Sequence, residues 1–250
     1  MRSPPLAELF PPSTLGLEVV EVTDLTSSMR LIRLGGAELT GFVHAPGQDL
    51  MLKLAGDDGR PVSRRYSIRR FDQRAQTIEL NVVLHGDGPA ARWAQTVRPG
   101  DRLAEVVAPR GKITTDAAAS WHLFAGDETA APAMFNMVES LPASATAELI
   151  FEVGGPEDEL VPEPLAASRL RWLHRGADQP GEGRRLLPAL AEVRLPEGPV
   201  HAYLAGEGRT VLALRDLLVG RGLAREQISV KAYWRADRPN LDRGEPQPAE

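Results

Sequence analysis

Trp121-His-Leu-Phe-Ala-Gly-Asp-Glu-Thr-Ala-Ala-Pro-Ala133 reads as a strand that runs straight into a helix. The opening run is apolar and short, as in a buried strand, and Gly126-Asp127 then breaks it. From about Thr129 to Ser140, Ala130, Met134 and Met137 fall on one helical face. The alternation continues downstream with strands at Ala147–Val153 and Leu170–His174, a helix near Arg184–Val193 and a strand at Val200–Ala205. A helix at Thr210–Arg221 carries Val211, Leu214 and Leu218 at i, i+3, i+7, and a strand at Ile228–Trp234 closes the series. Strand–helix alternation implies βαβ units and a doubly wound parallel sheet.

Upstream the pattern changes. Leu17–Thr23, Met29–Leu34, Leu50–Leu54 and Thr77–Leu84 are strand-like runs separated by turn signals such as Gly35-Gly36, Gly56-Asp-Asp-Gly59 and Pro99-Gly-Asp101. Short strands with turns between them predict a small antiparallel barrel. The one helical candidate there is Pro89–Val97. Lys112–Ser120 is the expected boundary, Gly154–Ala167 reads as an exposed loop, and both Pro-rich termini read as loose ends.

Composition narrows the function classes. Of 250 residues 42% are hydrophobic and 25% charged, an ordinary globular balance. With no cysteine, disulfides, thiolate metal sites and cysteine-held iron–sulfur clusters are excluded. The histidines at 44, 85, 122, 174 and 201 have no i,i+3 or i,i+4 spacing, so no helix-borne metal pair is expected. The net charge of 29 − 34 = −5 does not favour nucleic acid or an anionic membrane. No apolar run is long enough to span a membrane, and the opening residues lack a signal-peptide core. The expectation is a soluble cytoplasmic monomer.

Three segments can carry chemistry. Arg60–Arg74 holds six Arg against Asp72 alone, a local +5 in a chain of −5. Within it, strand alternation sets Arg64, Tyr66 and Ile68 on one face and Arg65, Ser67 and Arg69 on the other. An Arg fork beside a Tyr ring suits a phosphate attached to a planar ring, while a charged edge strand that resists aggregation is the plain alternative. His85-Gly-Asp-Gly-Pro-Ala-Ala-Arg-Trp93 ends a strand, turns on glycines and opens a helix whose free N–H groups can meet an anion. The turns after Ala125 and Ala205 lie where doubly wound folds take a nucleotide phosphate, although the first lacks G-x-G-x-x-G.

In order, Arg64-Arg-Tyr-Ser67, His85 to Ala94, Pro109-Arg-Gly111, Ala125 to Ala133, Leu204-Ala-Gly-Glu207 and Ala232-Tyr-Trp-Arg235 closely resemble the siderophore-interacting protein family. These are flavin-dependent ferric-siderophore reductases within the ferredoxin-reductase superfamily. The resemblance runs from about Leu17 to Arg235. It implies an N-terminal six-stranded antiparallel Greek-key barrel binding FAD (15–115), then a doubly wound α/β domain binding NADPH or NADH (119–237), with loose termini at 1–14 and 238–250.

By similarity Arg64 holds the FAD pyrophosphate, Tyr66 packs on the isoalloxazine and Ser67 hydrogen-bonds near flavin N5. Ile68 and Arg69 belong to the same segment. Val83 to His85 offer backbone along the polar edge of the ring. Gly88, Pro89, Ala90 and Ala91 wrap the pyrophosphate, with Trp93 supporting that loop. Gly126, Asp127, Glu128 and Thr129 sit at the dinucleotide crevice, and Gly206 and Glu207 line the nicotinamide side. The chain departs from the family pattern at Ala91, often Ser or Thr, and at Ala108 and Ala236, often Gly.

The implied reaction moves electrons from NAD(P)H through FAD to a ferric siderophore, and reduction loosens the hard-oxygen cage around the iron. The flavin carries the chemistry, so no classical acid–base residue and no resident metal are expected. Lys53, Arg110, Lys231 and Arg235 are candidates for a basic rim facing an anionic siderophore. The nicotinamide stays open. Glu152, Glu157, Asp158 and Glu159 argue against a 2′-phosphate, while Arg171, Arg175, Arg209 and Arg215 could hold one. A general flavin or ferredoxin reductase and a non-catalytic flavin- or siderophore-binding protein are the alternatives.

Overall fold

A computed structural model describes residues 14–56, 58–111, 113–160 and 168–236. The predicted loose termini and part of the Gly154–Ala167 loop fall largely outside them. The first half holds β1 (Thr14–Asp24), β2 (Met29–Gly35), β3 (Asp49–Ala55), β4 (Pro61–Ser67), β5 (Arg70–Asp72), β6 (Thr77–Val83) and β7 (Arg102–Arg110), with helix α1 (Pro89–Thr96) between β6 and β7. These strands form one antiparallel sheet in the order β4-β3-β7-β1-β2-β6-β5.

The sheet curls because the chain after β4 crosses between its two ends. Ile68 donates its N–H to Gln48 beside β3, and the next residue, Arg69, donates to Glu79 on β6. The inner face alternates as a half-buried strand should: Ile78, Leu80 and Val82 are buried with Leu17, Ile32, Leu52 and Ile68. That leaves Asn81 and Val83 on the other face of β6. The sheet has seven strands where six were expected. The addition is β5, whose turn lacks the usual Gly and Pro. Instead the Asp72 carboxylate caps it, accepting the N–H groups of Arg74 (2.8 Å) and Ala75 (2.9 Å), and Gln76 takes φ 51°.

The second half is β8 (Trp121–Asp127), α2 (Ala131–Glu139), β9 (Thr146–Val153), β10 (Ser168–His174), α3 (Leu186–Ala191), β11 (Val200–Glu207), α4 (Gly208–Gly220) and β12 (Ile228–Trp234). Its five strands are all parallel, in the order β10-β9-β8-β11-β12. Every residue of β11 is buried, as expected of a central strand covered on both faces. One apolar layer packs α3 and α4 on the sheet through Leu190, Val211, Leu214 and Leu218. The opposite layer packs α2 through Met134, Phe135 and Met137. The strand order reverses between β8 and β11, and doubly wound folds open their ligand crevice at that switch point.

The two halves are tied side chain to side chain. Arg69 donates two hydrogen bonds to Glu139 on α2 (2.8 and 2.6 Å) and lies over the Phe135 ring. Lys231 on β12 donates to Asp49 on β3 (2.6 Å). Ser28 donates to Asp158 (2.5 Å), so the described part of the predicted exposed loop rests against the barrel.

Candidate active site in the seam between the two halves

A cavity of about 250 Å3 lies in this seam, near the size of small-molecule pockets (roughly 300–1,000 Å3). β4 supplies Ser63 to Ser67, β3 supplies Asp49 and Met51, and β6 supplies Asn81 and Val83. His85, Ala90 and Ala91 come from the loop and first turn of α1, Thr129 from the turn after β8, and Lys231 to Trp234 from β12.

The barrel side offers a ring wall and cations. Tyr66 packs against Trp93 (ring centroids 6.0 Å apart), and burial pushes its hydroxyl up to about 12 against the pull of Arg64, so it stays neutral. Arg64 bonds the Ser63 carbonyl (2.7 Å) and lines the cavity. Arg65 pairs with the buried Asp49. Counting Arg64, Arg65 and Lys231 against Asp49, the charged lining sums to 3 − 1 = +2 inside a chain of −5. Lys231 is buried. That alone would lower its pKa, yet Tyr233 and Asp49 more than offset it and hold the ammonium above its usual value.

The second side is built around Asp127, 5% exposed at the end of β8. Its carboxylate accepts the Thr129 N–H (3.0 Å) and hydroxyl (2.5 Å), the Glu207 N–H (2.9 Å) and the Trp234 indole N–H (2.9 Å). Burial, with Glu128 nearby, pushes the carboxyl up to about 6. Gly206 (φ 133°) must be glycine, because a Cβ there would stand 2.4 Å from Asp127 Oδ2. At Gly126 a Cβ would stand 2.1 Å from the Ala205 carbonyl oxygen, so glycine there lets β8 and β11 approach.

Of the candidate residues, the cavity gathers Arg64, Tyr66, Ser67, Val83, His85, Ala90, Ala91, Thr129 and Lys231. Gly88 caps α1, Pro89 opens it, and Trp93 backs Tyr66. The others lie outside the lining of this cavity. Ile68 is fully buried in the barrel core, since β4 ends one residue before it. Arg69 donates to Glu139 across the seam and lies outside the cavity lining. Glu128 is paired with Arg175 (2.8 and 2.7 Å), and Glu207 caps α4 by accepting from Arg209 (2.6 Å) and Thr210 (2.9 Å). Of the four rim candidates, Lys53, Arg110 and Arg235 lie outside the cavity lining, and Lys231 reaches it from a buried, paired position rather than an open rim.

Sequence reasoning missed Asp49, Met51, Ser63, Arg65, Asn81, Ala232, Tyr233 and Trp234. Asn81 had a legible signal, standing one step out of register from the buried Ile78, Leu80 and Val82. Tyr233 and Trp234 were legible as aromatic polar residues ending the last strand on the crevice side, and their contacts bear this out. The Tyr233 hydroxyl meets Ser67 (3.2 Å), while the Trp234 ring tilts against His85 (6.4 Å).

The lining fits a flavin. Asn81 Oδ1 is buried with no hydrogen-bond partner among the described residues, so it calls for a donor such as a ring N–H. The Tyr66 wall and the start of α1 provide for a planar ring and a phosphate side by side.

Fold and site together set a curled antiparallel sheet against a doubly wound parallel sheet, with the cavity in the seam between them. A Neisseria gonorrhoeae ferredoxin NADP+ reductase structure shares this fold at a TM-score of 0.73 and 18% identity, over 88% of this chain and 97% of that one. Residues 53–113 match the siderophore-interacting FAD-binding domain, and 119–237 match the siderophore-interacting protein model. A siderophore utilization protein from T. fusca is 33% identical with a TM-score of 0.82, covering 93% of this chain and 97% of its own. Ferric vibriobactin reductase ViuB of Vibrio cholerae is 29% identical over 73% of this chain and 68% of its own length. The chain belongs to the siderophore-interacting protein family, and FAD is its cofactor.

Proposed function

We propose that the chain is an FAD-dependent ferric-siderophore reductase that draws electrons from NADPH or NADH. The observation that carries this reading is the seam cavity, walled by Tyr66 on one side and by Tyr233 and Trp234 on the other, with cations inside it. Bound FAD takes an electron pair as hydride and releases electrons singly, matching a two-electron donor to one-electron ferric iron.

The chain's own residues bind and orient. Arg64 and the start of α1 hold the pyrophosphate, Tyr66 sets the ring plane, and Ser67 and Asn81 address its polar edge. Thr129, fixed by Asp127, marks the nicotinamide approach at the switch point. Arg65 and Lys231 against the single carboxylate of Asp49 leave net positive charge beside the ring, which favours an anionic ferric chelate there. The zero cysteine count leaves no thiolate-held iron–sulfur relay, so the ferric complex approaches the flavin directly. We assign residues 15–115 to the flavin domain and 119–237 to the nicotinamide domain of a cytoplasmic monomer. The absence of a long apolar helix among the described residues is compatible with that location.

The test is anaerobic. FAD-loaded protein should be yellow, bleach with NADPH or NADH, and regain colour on addition of a ferric siderophore as ferrous iron appears. A chain that takes up no FAD sinks the reading. Flavin that binds but that neither nicotinamide bleaches favours a non-catalytic binding protein, and recovery with ferredoxin but not with ferric chelates favours a general reductase.

A further inference from the structure

Asp49 carries two cations. Arg65 donates to its Oδ1 within the barrel, and Lys231 Nζ, from β12 of the second half, donates to its Oδ2 at 2.6 Å. All three residues line the cavity. Their settings differ. The Arg65 side chain is 36% exposed, whereas those of Lys231 and Asp49 are 7% and 4% exposed. The amine also lies 5.3 Å from the centre of the Tyr233 ring, and that ring is fixed by the Ser67 hydroxyl, which donates to the Tyr233 oxygen at 3.2 Å.

Two cations on one carboxylate leave the network a net +1. A buried charge that its partner does not cancel is costly, and negative charge arriving beside it relieves that cost. Water and salt screen the exposed guanidinium strongly and the buried amine weakly. Lys231 is therefore the cation of the pair whose field reaches the cavity least reduced. Although burial opposes its charge, Tyr233 and Asp49 hold the ammonium above its usual value, so it stays charged. Negative charge does arise in the cavity when a nicotinamide reduces the flavin. The hydride brings two electrons and one proton, so a neutral ring gains a charge of −1 while the nicotinamide is oxidised.

We propose that Lys231 sets the reduction potential of the bound flavin, its ammonium stabilising the negative charge that hydride transfer leaves on the ring. A fixed cation beside the ring favours the reduced form over the oxidised one and so raises the potential. The inference rests on the FAD reading above and gives the second half a part in tuning a cofactor held by the first. Because the amine and its carboxylate belong to different halves, the potential depends on how the halves dock.

The test compares midpoint potentials of FAD-loaded wild type and variants, equilibrated against a reference dye. Lys231→Gln keeps a hydrogen-bond donor for Asp49 and removes the charge. It should weaken binding of reduced FAD about ten-fold more than binding of oxidised FAD, a fall of about 30 mV for a two-electron couple. Arg65→Gln removes the same charge at an exposed position and should lower the potential by less. Asp49→Asn breaks the same tie between the halves but removes negative charge, so its potential should stay at or above that of the wild type. If Lys231 only holds the halves together, Lys231→Gln and Asp49→Asn lower the potential alike. That result, an unchanged potential in Lys231→Gln, or a larger fall in Arg65→Gln overturns the proposal while leaving the FAD reading intact. A wild-type chain without FAD affinity overturns both.

Discussion

Arg64 and Arg74 come from the same basic stretch but face different tasks. Arg64 lines the cavity, whereas Arg74 sits in the exposed turn capped by Asp72. Arg64→Ala should lose a charge-assisted phosphate contact of about 1.5–3 kcal/mol, roughly ten- to a hundred-fold in FAD affinity. Arg74→Ala should leave FAD affinity unchanged, and equal affinities on titration would refute the role of Arg64. Asp127 yields a pH prediction. Its carboxyl, pushed up to about 6 by burial and then by Glu128, binds its proton more tightly folded than at the ordinary aspartate value of 3.8. The stability tied to that proton is therefore full below about pH 4 and lost as the pH rises through about 6. The melting temperature of the wild type relative to Asp127→Asn should fall across that window. A difference that stays flat would show that the carboxyl does not titrate there.

At the scale of elements, the close approach of β8 to β11 hangs on Gly126. An alanine methyl at 2.1 Å from the Ala205 carbonyl must push the strands apart. Gly126→Ala should cost about 1–3 kcal/mol in urea unfolding, the usual range for overpacking. It should also weaken FAD binding, because Thr129 and Asp127 follow directly on the same turn. The second sheet was plainly legible: five predicted strands and three helices stand where the apolar periods put them, since buried parallel strands and amphipathic helices write their burial into the sequence. The first sheet was less so. β5 was lost because a side-chain cap on Asp72 replaces glycine in its turn, and β7 carries Glu105, Pro109 and Arg110 among its apolar residues, blurring the alternation. The site was half legible. Local motifs reveal Arg64, Tyr66, Ser67 and the α1 loop, but not that Arg69 would be claimed by Glu139, seventy residues away, or that Tyr233 would meet Ser67. Such pairings depend on how the halves dock, and no local period records that.

The docking of the two halves is what turns two ordinary layers into one site, and Arg69–Glu139 is one of its buried ties, with side chains 8% and 22% exposed. Removing the arginine leaves Glu139 facing the seam with Arg70 still 3.7 Å away, so part of the charge stays compensated. Arg69→Ala should therefore cost near the lower end of the roughly 3–5 kcal/mol typical of a broken buried pair. The loss should fall on the seam rather than on either core, because the barrel cluster and the two layers around the parallel sheet share no buried residue. Calorimetry of the flavin-free variant should show the single transition of the parent broaden or split, as the halves melt with less mutual support. Added FAD, which bridges both walls of the cavity, should restore one transition by binding only the docked form. If Arg69→Ala lowers the melting temperature but keeps one sharp transition with and without FAD, the ion pair stabilises the fold as a whole and the domains are held together by Asp49–Lys231 and Ser67–Tyr233 instead.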